Sequence, residues 1–251
     1  MKILKTKEAW DLEREGMQGK TIGLVPTMGA LHTGHLSLIQ RCRSENDITV
    51  ASIYVNPTQF NNQKDLETYP RTLAEDCRLL EQEQTDYLFL PDYAQMYPDG
   101  YHYHVYETEL SGILCGAKRP GHFEGVLTVV LKLLAIIGPE RAYFGEKDYQ
   151  QYLLIQGMAK AFFLQTAIIP CPIVREESGL AMSSRNRLLS VESRLKASEF
   201  HRILSSGEPV EVIQRQLEDF GFIVDYVEEH FGRIFGAVFL QEVRLIDNVK
   251  R

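Results

Sequence analysis

Four stretches of the sequence combine residue types that bind anions or hydrogen-bond small polar molecules. In VPTMGALHTGHLSLI, residues 25 to 39, an apolar run meets a glycine-containing turn and then a helical pattern. A helix N-terminus presents unpaired N–H groups and the positive end of its dipole to an anion, and Gly29 and Gly34 let backbone approach closely. His32 and His35 are three residues apart, which puts two imidazoles on one side of a first helical turn. HxGH alone also fits ordinary core or surface histidines. Its place directly after a strand, opening a helix, favours phosphate.

The second stretch, GLAMSSRN at 179 to 186, sets the hydroxyls of Ser183 and Ser184 beside the guanidinium fork of Arg185. Read alone, such a run is more often a solvated turn, and its value comes from pairing with the histidine segment. The third, FGEKDYQQ at 144 to 151, offers Lys147 as a point charge for phosphate, Asp148 as an acceptor for ribose hydroxyls and Gln151 as an amide for a polar substrate. It also reads as a charged helix start, with Glu146 and Asp148 favourably near the dipole. The fourth, SIYVNPTQF at 52 to 60, ends a β-branched run at Asn56-Pro57. Beyond the carboxyl end of a parallel strand, Asn56 and Gln59 would present amides suited to a hydroxy acid; a plain Asn-Pro turn is the alternative. His102 and His104 alternate in YHYHVY as on one strand face, with no third metal ligand in view. His122 in RPGHF, close to Arg119, receives no role from the sequence.

Elements must position these groups. TIGLVPT, DITVASIYV, DYLFLP and QTAIIPCPIV read as strands, with helical stretches after Leu36 and Leu73, in VLTVVLKLLAII after Gly125, and from about Asp148 to Phe162. Alternation of this kind predicts a parallel sheet with crossover helices, an α/β fold. Two prolines, Pro170 and Pro172, place a boundary near 172, giving units 1–172 and 173–251. The second is a smaller α+β unit, with helices in SVESRLKASEFHRIL and PVEVIQRQLEDFG and strands in FIVDYVEE, RIFGAVFLQ and VRLIDNV.

Composition narrows the class. A chain of 251 residues, 44% hydrophobic, has the material for a large core, and a net charge of −7 argues against nucleic-acid phosphates or anionic lipids as partners. Small molecules are expected instead. The cysteines at 42, 77, 115 and 171 show no CxxC spacing, so reduced thiols in a cytoplasm fit best. MKILKTKEAW lacks the pattern of a secretory signal, and the longest apolar stretch, interrupted by Lys132, is too short to span a bilayer.

The motifs PTMGALHTGH, VNPTQF, YPRTL, MYPDG, RPGHFEGVLTVVLKLL, FGEKDYQQ and VREESGLAMSSRN occur in an order and spacing that resembles the pantothenate synthetases, through Asn186 and again at LIDNV. The resemblance implies a Rossmann-type nucleotidylyltransferase domain, with MSSRN standing where related enzymes carry a KMSKS-like loop, and a small C-terminal lid. It implies ATP along Met28, Gly29, Ala30, Leu31, His32, Thr33, Gly34 and His35, completed by Gly145, Glu146, Lys147, Asp148, Val174, Met182, Ser183, Ser184 and Arg185. His32, His35, Lys147, Ser183, Ser184 and Arg185 would be the catalytic set, and Gln59 and Gln151, with Asn56 close by, would hold pantoate. Mg²⁺ would arrive on the phosphates, and a homodimer is expected. Thr58 stands where the family usually has Met, Cys115 where it usually has an acid, and the C-terminal part is short. After YPRT only Glu75 and Asp76 remain as metal-facing candidates, so no protein ligand to metal is assigned.

The implied reaction joins pantoate to β-alanine through an acyl-adenylate. No protein nucleophile is needed, since pantoate brings its own, and the burden falls on positioning and charge stabilisation. Three rivals share the nucleotide site: an HxGH transferase that stops after moving AMP to a phosphorylated acceptor, a tRNA synthetase fragment, and a module that binds ATP without turnover. The amides of NPTQF and DYQQ, rather than a second basic cluster, disfavour the first, and the acidic composition disfavours the second.

Overall fold

The apolar runs of the first two-thirds pair side by side in one parallel sheet. The computed structural model describes all residues, Met1 to Arg251. Strands β1 (Lys2–Leu4), β2 (Ile22–Thr27), β3 (Ile48–Ile53), β4 (Tyr87–Phe89), β5 (Arg141–Gly145) and β6 (Ala167–Cys171) lie in the order β1-β4-β3-β2-β5-β6. β3 is buried at every position, as a central strand covered on both faces must be. β2 bonds to β3 on one side and to β5 on the other, so the sheet reverses direction of growth at β2. A crevice opens at such a switch point beyond the strand ends.

The crossovers are α1 (Lys7–Glu15), α2 (Thr33–Glu45), α3 (Gln63–Thr68), α4 (Leu73–Gln82), α5 (Tyr93–Met96), α6 (Leu114–Lys118), α7 (His122–Ile137) and α8 (Tyr149–Ala161). α7 begins at His122, earlier than its apolar periodicity suggests. Gly125 lies inside it because the helix presses on the 3-10 turn Pro57–Gln59: a Cβ there would sit 2.5 Å from the Thr58 carbonyl oxygen. The carbonyls ending α7 are met by the Trp10 indole N–H, 3.3 Å from Ile137 O, and by Arg14, which donates to Ile137 O and Gly138 O. β1 is only three residues long, too short for its periodicity to mark it in the sequence. YHYHVY forms no strand: Tyr101 takes a positive φ of 68° and stacks on His104, so the alternation of His102 and His104 has no sheet to express it.

Beyond residue 172 come α9 (Val191–Leu204), α10 (Val210–Phe220) and an antiparallel meander of β7 (Ile223–His230), β8 (Arg233–Leu240) and β9 (Val243–Lys250). α9, α10 and the meander enclose their own core around Phe200, Leu217 and Val238. Tyr226, Phe235 and Ala237 belong instead to the large core of the parallel-sheet layer, so the second sheet is packed onto the first by apolar contact. No helix is long and apolar enough to cross a membrane.

Candidate active site

The strand-turn-helix at residues 25 to 39 lies at the switch point, and its shape is held from a distance. Gly29 and Ala30 have positive φ values of 78° and 50°. At Gly29 an added Cβ would stand 3.0 Å from Asp76 Oδ2, so the position needs glycine for space as well as for conformation. Asp76, buried on α4, accepts from the backbone N–H groups of Ala30 (2.9 Å) and Leu31 (2.8 Å) and from the Thr72 hydroxyl (3.1 Å). Asp76 is therefore an anchor of the turn, and Glu75 is paired with Arg78 at 2.7 Å. Asp76→Ala should lower stability by about 3 kcal/mol, because two buried N–H groups lose a charged acceptor. Urea unfolding measures this; an unchanged midpoint would contradict the anchoring role.

His32 caps α2 rather than standing within it. Its Nδ1 accepts from the Gly34 N–H at 3.1 Å, so in the neutral ring Nε2 carries the proton and is the free donor. The His35 ring lies 4.0 Å away, centroid to centroid. Burial first, then His35, Lys147 and Arg187, pushes His32 down to about 2, and burial holds His35 at about 4 although Asp148 pulls it upward. Both are neutral donors near pH 7 until a polyanion arrives. His35 Nδ1 is buried with no partner in the protein.

The crevice holds about 220 Å³ in its deep part, lined by Met28, His32, Gly34, His35, Gln59, Gly145, Lys147, Asp148, Gln151, Val174, Met182, Ser183, Ser184 and Arg185 among others. Through Lys147, Asp148, Ser183 and Arg185 it continues into a second space of about 670 Å³, between α3 and the β8–β9 hairpin. Lys147 is the deep cleft's least exposed cation, its side chain 17% exposed and Nζ 3.8 Å from Asp148 Oδ2. Arg185 pairs with Asp65 at 2.9 Å and lies over Tyr69. The Ser184 hydroxyl donates to Ala30 O at 2.9 Å, and Arg187 reaches Leu31 O at 3.0 Å. The MSSRN segment is thus tied to the histidine turn across the sequence.

Several expected contacts are not made available. The N–H groups of Ala30 and Leu31 are taken by Asp76, and Thr33 points to solvent, so these three stand behind or outside the cleft. Glu146 turns away to pair with Arg233 at 3.1 Å. Asn56 is fully buried: Nδ2 donates to Gln59 Oε1 and to Gly125 O, both at 3.1 Å, and Oδ1 accepts from the Tyr97 hydroxyl at 2.8 Å. With its amide so engaged, Asn56 orients Gln59 rather than meeting a ligand. Thr58 donates to Asn56 Oδ1 at 3.0 Å and joins that network instead of forming cleft wall.

Other positioning residues come from far along the chain. Asn248 on β9 donates to the carbonyls of Glu146 (2.9 Å) and Lys147 (3.0 Å), fixing the backbone from which Lys147 projects. Its neighbour Asp247, buried, holds Arg175 in a two-pronged pair at 2.6 and 3.0 Å, steadying the segment that leads to MSSRN. The LIDNV motif is the sequence signal for both.

Burial also fixes how acid acts on this region. His122, held to about 3 mainly by burial and then by Arg119, joins His32 and His35 as a base whose folded pKa lies below the ordinary 6.5. The unfolded chain then binds more protons than the folded one between these values, so stability falls as pH drops below 6.5. His35→Gln should show a shallower fall in urea midpoint over that window above the carboxylate range. Identical slopes would show that His35 does not titrate this way.

A parallel sheet open at its switch point, with paired neutral imidazoles and a lysine around the crevice, defines a Rossmann-type α/β protein with a cleft of nucleotide-binding character. The profile of the family described as pantoate-beta-alanine ligase matches residues 2–250. The pantothenate synthetase of Bdellovibrio bacteriovorus is 51% identical over 243 residues, 97% of this chain and 95% of that protein. The pantoate-beta-alanine ligase of Francisella tularensis, solved with beta-gamma ATP and beta-alanine, superposes with a TM-score of 0.95 at 43% identity, covering 100% of this chain and 97% of that one. The pantothenate synthetase of Thermus thermophilus gives 0.91 at 39% identity, covering 100% and 99%. The chain belongs to the pantoate-beta-alanine ligase family. Its short C-terminal part does not set it apart from these relatives, which it matches nearly end to end.

Proposed function

We propose that this enzyme condenses pantoate with β-alanine at the expense of ATP, giving pantothenate, AMP and pyrophosphate through a pantoyl-adenylate. The observation that carries the reading is the meeting, around one crevice, of phosphate-type donors (His32, His35, Lys147, Ser183, Arg185) with the paired amides of Gln59 and Gln151. In the first step a pantoate carboxylate oxygen attacks the α-phosphorus and pyrophosphate leaves. The protein's part is to orient the two substrates and stabilise charge on the phosphate oxygens: His32 through Nε2–H, Lys147 as a cation set by Asn248, and Arg185 held by Asp65. Magnesium enters as part of the nucleotide substrate. No group of three or more His, Cys, Asp or Glu side chains is arranged to hold a metal ion, and Glu75 and Asp76 are otherwise engaged, which fits a cation carried by the triphosphate. In the second step the β-alanine amine attacks the acyl carbon, the bond to the phosphate oxygen breaks, and AMP departs.

The two units, 1–172 and 173–251, fit a lid closing on a base, with the β8–β9 hairpin facing α3 across the wider part of the cleft and Lys64 paired with Glu242 at its mouth at 2.6 Å. Water kept out by that closure would protect the adenylate. We extend the family resemblance to a homodimer and to a cytoplasmic setting, which four unpaired cysteines suit. Pyrophosphate release from ATP and Mg²⁺ should require pantoate alone, and AMP and pantothenate should then form only on adding β-alanine. Tight ATP binding with no pyrophosphate under these conditions would favour a non-catalytic nucleotide-binding protein.

A further inference from the structure

Arg233, on β8 of the second unit, is a buried cation with no place in the cleft. Its side chain is 7% exposed, and it lines neither the deep crevice nor the wide part beyond it. What it meets surrounds Lys147. Nη2 lies 3.1 Å from Glu146 Oε2, and the guanidinium stands 4.0 Å from the centre of the Tyr149 ring, a cation on an aromatic face. Nη1 donates to Asn248 Oδ1 at 2.8 Å. A guanidinium can only donate, so it takes the amide oxygen of Asn248 and leaves Nδ2 for the carbonyls of Glu146 and Lys147, at 2.9 and 3.0 Å. Asn248 is buried, and losing the arginine would strand its oxygen away from solvent.

The turn that carries Lys147 depends on such outside contacts. Glu146–Asp148 is a single 3-10 turn between β5 and α8, and neither Gly145 before it nor Asp148 at the start of α8 makes a side-chain capping bond. Lys147 stands in its middle, and Nζ makes only the 3.8 Å contact with Asp148, so the backbone decides where the ammonium falls. We propose that Arg233 is the positioning residue for Lys147: through Asn248, Glu146 and Tyr149 it fixes the backbone from which the lysine reaches the phosphates. The second unit then supplies part of the catalytic geometry as well as a cover. The inference rests on the two-step reading above and deepens it.

The test compares the wild-type enzyme with Arg233→Met, which keeps an unbranched side chain without charge or donors, and with Arg233→Lys, each also made on Lys147→Ala. Arg233→Met should lower the single-turnover rate of pantoate-dependent pyrophosphate release roughly 10- to 100-fold, the range for misplacing a working group by about 1 Å. The KM for pantoate should change by less than about threefold, because pantoate binding does not use the lysine turn. Arg233→Lys should recover part of the rate, since an ammonium keeps the charge but not the fork that reaches Glu146 and Asn248 together. On Lys147→Ala, Arg233→Met should cost less than about twofold more, because the group it positions is already gone. Losses that multiply in the double variant, equal losses in KM and rate, or a normal rate in a folded Arg233→Met would overturn the assignment. If Arg233→Met does not fold, Arg233→Lys and Glu146→Gln, which weakens the same pair from its other end, carry the same cycle. Absence of pantoate-dependent pyrophosphate in the wild type would instead overturn the reaction on which the inference rests.

Discussion

Lys147→Ala should slow pantoate-dependent pyrophosphate release about 10³-fold while the protein unfolds at a nearly unchanged urea concentration. Lys147 is the deep cleft's most sheltered cation, and charge develops on phosphate oxygens in the step it would serve, so its removal takes away preorganised stabilisation worth about 4 kcal/mol. Stability should hardly move, because Nζ makes only one ion pair, at 3.8 Å, with the half-exposed Asp148. Single-turnover quench-flow with labelled ATP separates this chemical step from product release. Near-normal release by a folded Lys147→Ala would remove the residue from the mechanism.

Gln59→Ala should raise the KM for pantoate by roughly 10- to 100-fold, with a much smaller effect on ATP, since the hydroxy acid would lose its amide partner. The Gln59 side chain is 7% exposed and faces the crevice, with Oε1 fixed by Asn56 and Nε2 resting 3.0 Å from Met28 Sδ. Removing it also leaves Asn56 Nδ2 with one acceptor fewer in a buried place, so a loss of about 1 kcal/mol in stability should accompany the change. Initial rates at varied pantoate and varied ATP decide the matter. Equal effects on both substrates would mean that Gln59 shapes the cleft as a whole rather than one subsite.

Local signals carried the sequence reading a long way. The strand-turn-helix around His32 and His35 was legible because apolar runs, a glycine turn and a helical period are all encoded within fifteen residues or so. The meander after α10 was legible for the same reason. What escaped depends on partners far apart in the chain. Asp76 meets Ala30 across 46 positions, and Asn248 meets Lys147 across 101, and nothing in either neighbourhood announces the other. At Asn56 the turn was visible but the direction of the amide was not; the packing of Gly125 against Thr58 turned it inward. YHYHVY failed in the opposite sense, since alternation specifies a strand only where another strand is free to pair with it.

The central claim, activation of pantoate on the α-phosphorus of ATP, is tested most directly by following oxygen. Pantoate labelled with oxygen-18 in both carboxylate oxygens should, in a complete reaction with ATP, Mg²⁺ and β-alanine, transfer one labelled oxygen to AMP and leave the other in the amide of pantothenate. Unlabelled AMP, or label recovered in inorganic phosphate alongside ADP, would contradict the account.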